Sequence, residues 1–112
     1  MTRKVVVEAV VHDADADTVF ARIGDFERYP ELTDAVQEVR IINRHDQVVE
    51  SEWTVRFRDG VLRWGERELV NQAERSITFV QTWGDFASFA GSWDVEPLPD
   101  TVLLRFAAEF DL

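Results

Sequence analysis

From Val36 almost to its end the chain keeps one period, two residues long, broken only by short polar turns. Within Val48–Arg58 the alternation is strict, with Val49, Trp53, Val55 and Phe57 on one side. Side chains on a strand point to opposite faces in turn, so a chain patterned this way is committed to antiparallel β structure. The pattern predicts strands over 36–43, 48–58, 61–70, 77–83, 86–96 and 101–112. Between them, Arg44-His45-Asp46-Gln47, Asn71 to Arg75, Gly84-Asp85 and Pro97-Leu98-Pro99-Asp100 read as turns. Asp59-Gly60 is a two-residue hairpin signal, because both residues tolerate positive φ.

The first third differs. The β-branched run VVVEAVVH within 3–12 predicts a leading strand. Asp13 or Asp15 can cap a helix whose apolar face is Val19, Phe20 and Ile23, and Gly24 closes it. Asp25 starts a second short helical turn, limited by Pro30. One strand, two short helices and six strands make an α+β chain whose meander pairs an edge with the leading strand. Its length of 112 residues fits one domain, 1–112. Two short helices cannot cover one face of seven strands; a long helix usually does, and none is read before Leu112.

Composition narrows the chemistry. The chain has no cysteine, which removes disulfides, thiolate metal sites and cysteine nucleophiles. His12 and His45 lack companions at metal spacing, so no metal and no other cofactor is expected. Acidic residues outnumber basic ones 22 to 12, for a formal charge of −10, which disfavours nucleic acid as a partner. Neither a signal peptide nor a membrane-spanning run is read, and the expected location is the cytoplasm.

Four Trp and eight Phe are many large rings for so short a chain. They either fill a core or line a hollow. Alternation turns Trp53, Phe57, Phe79, Trp83, Phe89, Trp93, Phe106 and Phe110 inward, with Gly91 leaving space among them. On the strand after Asp59-Gly60, Leu62, Trp64, Glu66, Glu68 and Val70 share the inward face. A carboxyl there has a raised pKa, since burial penalises its charged form, and that suits proton transfer near neutral pH. The competing reading pairs these glutamates with arginines such as Arg105, or leaves them facing water at an open mouth.

With GDFERYPEL after the first helix and GDFASFAGSW before the penultimate strand, the chain resembles the START-like polyketide cyclase/dehydrase family over essentially its whole length. The branch with coenzyme-Q-binding and ribosome-associated toxin homologues is the one it most resembles. The resemblance implies a helix-grip fold of the START/Bet v 1-like kind: a seven-stranded curved antiparallel sheet around a cavity for a mostly apolar small molecule. Family members continue into a long C-terminal helix across the cavity mouth, which this sequence lacks; a fragment, disorder, a partner or a second copy would account for the missing wall.

Cyclases of the family often carry a Trp, a small hydroxyl residue and an Arg at alternate positions on the strand that here bears Trp64, Glu66 and Glu68. Trp64 matches, and the two glutamates stand in the other places. The resemblance thus implies a cyclase or aromatase that folds a poly-β-keto chain, with Glu66 and Glu68 catalytic and with Tyr29, Trp53, Trp64, Phe79, Trp83, Phe89, Trp93 and Phe106 binding substrate. The alternatives are a non-catalytic carrier of a quinone, lipid or other hydrophobic molecule, and a protein-interaction module. Outward-facing Arg56, Arg58, Arg63 and Arg67 form a basic patch suited to an acidic acyl carrier protein, or a solvated face paired with Glu50 and Glu52. A bare sheet face also favours a homodimer.

Overall fold

A computed structural model describes residues 2–112. The strand run beginning at Arg3 forms β1 (Arg3–His12). Asp13 turns the chain with a φ of 57°. Asp15 then caps α1 (Ala16–Ile23), accepting from the backbone N–H of Thr18 at 2.8 Å and from its hydroxyl at 2.9 Å. Ala16, Val19, Phe20 and Ile23 are the buried stripe of α1. A 3₁₀ turn (Phe26–Arg28) and α2 (Tyr29–Leu32) follow, with Pro30 in the first turn where its missing N–H costs nothing.

Six strands complete the chain: β2 (Val36–His45), β3 (Val48–Phe57), β4 (Gly60–Asn71), β5 (Ser76–Gly84), β6 (Ser88–Pro97) and β7 (Thr101–Asp111). They form one antiparallel sheet in the order β1-β7-β6-β5-β4-β3-β2, so the leading strand pairs with the last. The short helices pack against β2 and β6, and Arg75 in the β4–β5 turn bonds Asp17 of α1 at 2.8 Å. The core joins α1 to the inner sheet face through Phe20, Ile23, Phe26, Trp53, Trp64, Ile77, Val95 and Val102. No long helix follows β7 among the described residues.

Two local expectations need correction. The β3–β4 turn is Arg58-Asp59, not Asp59-Gly60: Phe57 pairs with Gly60, and Arg58 takes the left-handed φ of 56°. In addition, β5 carries a bulge. Glu66 lies opposite Gln81 but Gly65 lies opposite Trp83, leaving Thr82 as the extra residue. Gly84 ends that strand at φ 142° against Trp64; a Cβ there would come within 2.4 Å of the Trp64 Cβ, so only glycine fits.

Candidate functional site

The inner faces of β3 and β4 meet at a Trp53–Trp64 pair, directly opposed in register and stacked at 6.0 Å with 4° between the rings. From that pair a belt of rings runs both ways. Tyr29 meets Trp53 edge-on at 5.3 Å. Phe89 meets Trp64 at 5.5 Å, Phe79 meets Phe89 at 5.2 Å, Phe106 stacks on Phe79 at 5.8 Å, and Trp93 meets Phe106 at 4.7 Å. The belt does not close into a solid filling: it surrounds a cavity of about 210 Å³. That lies between a cavity holding one benzene, about 150 Å³, and ligand pockets of about 300 Å³ upward.

Nine of the ten residues expected at the site line this cavity: Tyr29, Trp53, Trp64, Glu66, Glu68, Phe79, Phe89, Trp93 and Phe106. Trp83 does not. The bulge at Thr82 reverses the parity of β5, and Trp83 lies on the outer face, 49% exposed, its indole directly over Gly65. Phe57 is exposed near the end of β3, with the Arg58 guanidinium 5.1 Å from its ring centre. Phe26, Val36, Val55 and Ile77 also line the cavity. Phe26 sits in a 3₁₀ turn, where no periodicity points to it.

Glu66 and Glu68 are buried, at 6% and 1% exposure, and neither meets an arginine or bulk water. Arg105 is held in register between Glu8 and Asp94 on the outer face. The Trp64 indole N–H donates to Glu66 Oε1 at 2.7 Å. The Ser51 hydroxyl donates to Glu68 Oε2 at 2.6 Å and itself accepts from the Trp53 indole N–H at 2.8 Å. Ser51 is thus a functional neighbour missed by sequence reading, although the alternation Val49, Ser51, Trp53 already turns it inward and a serine there has to find a partner.

The remaining oxygen of Glu68, Oε1, is buried and meets no N–H or hydroxyl donor. The two carboxyls are close enough to interact through a hydrogen bond, which requires that one of them carry a proton. Burial pushes Glu66 up to about 9, reinforced by its hydrogen bond to Glu68 and by the charge on that neighbour. Burial also raises Glu68, but hydrogen bonds from Glu66, Ser51, Trp53 and its own backbone work the other way. The shared hydrogen bond raises Glu66 and works against the rise of Glu68, so of the two acids Glu66 is the one that holds a proton more firmly.

Tyr29 is held neutral, its pKa raised first by burial and then by the neighbouring acids Glu66, Glu68 and Asp25, all ionised at the high pH where a tyrosine would titrate. Its hydroxyl donates to the Ile23 carbonyl, which fixes the ring as a wall. Of the basic patch, Arg67 pairs with Glu50 at 3.6 Å, while Glu52 pairs with Arg40 at 3.8 Å. Among the described residues no cluster of His, Asp and Glu could hold a metal ion, and no helix is long and apolar enough to cross a membrane.

Residues 12–112 match the family described as polyketide cyclase / dehydrase and lipid transport. The chain belongs to that family. Three solved structures show how this polyketide cyclase / dehydrase family member compares in fold. The Zhui aromatase/cyclase of a Streptomyces species superposes with a TM-score of 0.91 at 20% identity, over 98% of this chain and 68% of that one. A protein of Thermus thermophilus gives 0.93 at 20% identity, over 98% and 75%. A START superfamily protein of Mycobacterium smegmatis gives 0.85 at 22%, over 96% and 76%. At these identities the likeness establishes the helix-grip fold. No curated protein matches the chain in sequence.

Proposed function

We propose that this protein, a single helix-grip domain, binds a compact poly-β-keto or aromatic polyketide intermediate and promotes its aldol cyclisation and dehydration. The observation that carries the reading is the Glu66–Glu68 pair, two buried neighbouring carboxyls set in the wall of an aromatic cavity. The Glu68 carboxylate takes a proton from the acidic carbon between two carbonyls. The enolate carbon attacks a second carbonyl, and Glu66 gives its proton to the oxygen that becomes a hydroxyl. The proton gained by Glu68 passes to Glu66 through their mutual hydrogen bond, and the pair is restored. Dehydration repeats the exchange: one acid takes the adjacent C–H proton while the other protonates the departing hydroxyl, and water leaves.

The aromatic belt supplies position. Flat walls such as the Trp53–Trp64 stack hold a folded chain with its reacting carbons together, an effect that contributes several kcal/mol to lowering a barrier. The intermediate would arrive on an acyl carrier protein, whose acidic surface suits the exposed Arg56, Arg58 and Arg63 of the β3–β4 hairpin.

The test uses a short β-polyketone thioester, following the absorbance of the aromatised product and the quenching of tryptophan fluorescence on binding. Glu66→Gln and Glu68→Gln should each lose the acceleration over spontaneous cyclisation while still quenching. Trp83→Ala, altered on the outer face, should retain both. Binding with no acceleration by the unaltered protein would overturn the catalytic reading and leave a carrier of hydrophobic molecules.

A further inference from the structure

The two edges of the sheet are built differently. At one, β2 has two register shifts, between Val36 and Glu38 and between Ile41 and Asn43, and both the 3₁₀ turn and α2 pack against it. Bulges and covering elements are the usual means by which a sheet edge is kept from pairing with another chain. At the other edge, β1 has none of these. Its ten residues run against β7 in unbroken register, without proline or bulge. Val6, Val7 and Val10 are 56%, 55% and 51% exposed. Half of its backbone N–H and C=O groups point away from β7, toward no other strand.

We infer that this edge pairs with the β1 of a second copy of the chain, antiparallel and in one register, centred on Val6. The register follows from parity and charge. Directly opposed residues in an antiparallel pair lie on the same face, so a two-fold axis must pass beside a residue that faces its own copy. Centring on Lys4 or on Glu8 sets like charges against each other, and centring on Val5 or Val7 sets the charged Lys4 and Glu8 against uncharged residues. Centring on Val6 places Lys4 against Glu8 of the partner subunit twice, on the outer face, with Val6 against the partner's Val6 between them. On the inner face the same register sets Val5 against the partner's Val7. The charges of Lys4 and Glu8, which would otherwise deter edge pairing, become its register key, and two seven-stranded sheets join into one.

The test begins with sedimentation velocity of the full chain from micromolar to high-micromolar loading, which should show a monomer–dimer equilibrium. Lys4→Glu and Glu8→Lys each turn two attractive pairs into two repulsive ones and should weaken the dimer roughly tenfold or more. The double variant Lys4→Glu/Glu8→Lys should restore it, although it disturbs the intrachain pairing of Lys4 with Glu109. A change in fold would show in the circular dichroism of the single variants and would not be repaired by the second substitution. Because the chain has no cysteine, Val6→Cys gives a clean register probe. Opposed Cα atoms about 4.5–5.5 Å apart lie within disulfide reach, so oxidised Val6→Cys should form a covalent dimer and Val5→Cys or Val7→Cys should not. A monomer at every loading, a dimer indifferent to the charge reversals, or equal cross-linking at all three positions would each overturn the inference.

Discussion

Glu66 makes a prediction that runs against the usual effect of altering a buried hydrogen-bonded residue: Glu66→Gln should stabilise the protein at neutral pH. The carboxyl titrates at 4.5 under ordinary conditions and at about 9 in the folded chain, because burial and the neighbouring Glu68 disfavour its charged form. Below 4.5 both folded and unfolded states hold the proton and nothing is lost. Above it the unfolded chain releases the proton while the folded one keeps it, so stability declines with rising pH until the folded group titrates too. At pH 7 the two and a half units above 4.5 correspond to a penalty of about 3 kcal/mol. Glutamine removes that penalty and keeps the surroundings: its carbonyl accepts from Trp64, and its amide N–H₂ offers a donor to the neighbouring Glu68 carboxylate. Urea unfolding of both proteins between pH 5 and pH 8 should show the variant gaining on the parent by about 1.4 kcal/mol per pH unit. A gap that stays constant, or a variant less stable than the parent at pH 8, would refute a protonated Glu66. A native group that costs stability at the working pH is the trade expected where a site is kept for activity.

Ser51→Ala should cost about 1–3 kcal/mol in urea unfolding, because it takes an acceptor from the Trp53 indole N–H and a donor from the buried Glu68 at once; an unchanged midpoint would mean that the direct Trp53–Glu68 contact or water makes up both losses. Two of the tight glycines, Gly91 and Gly65, should differ in thermal denaturation. A Cβ at Gly91 would lie 2.2 Å from the Ala107 carbonyl oxygen and 2.9 Å from the Ala108 Cα, backbone that cannot yield, so Gly91→Ala should cost about 3 kcal/mol or more. At Gly65 the obstacles are atoms of the half-exposed Trp83 indole, which can swing into solvent, so Gly65→Ala should cost no more than about 1 kcal/mol; the reverse order would refute this account.

Where a strand runs unbroken, parity alone assigns its faces, and for that reason Trp64, Glu66 and Glu68 could be placed inside from the sequence. Parity fails at a single added residue. Thr82 carries no mark that distinguishes it from its neighbours, yet it turns Trp83 from the cavity to the outer face; the nearest signal is the pair of small residues it needs, Gly65 beneath the indole and Gly84 at the strand end. The β3–β4 turn shows a different limit. A turn at Asp59-Gly60 would keep every face but slide the pairing, setting Trp53 opposite Glu66. The observed turn at Arg58-Asp59 instead sets Trp53 against Trp64 and Glu50 against Arg67. Cross-strand pairs such as these, each contributing roughly 0.2–1 kcal/mol, together outweigh the local preference for a glycine within the turn. The chemistry depends on that choice. It is this register that puts Ser51 opposite Glu66, where its hydroxyl reaches Glu68 Oε2, while Oε1 stays buried without a donor. The Ser51 donor to Glu68 is therefore a consequence of strand register, which no local motif in the sequence announces.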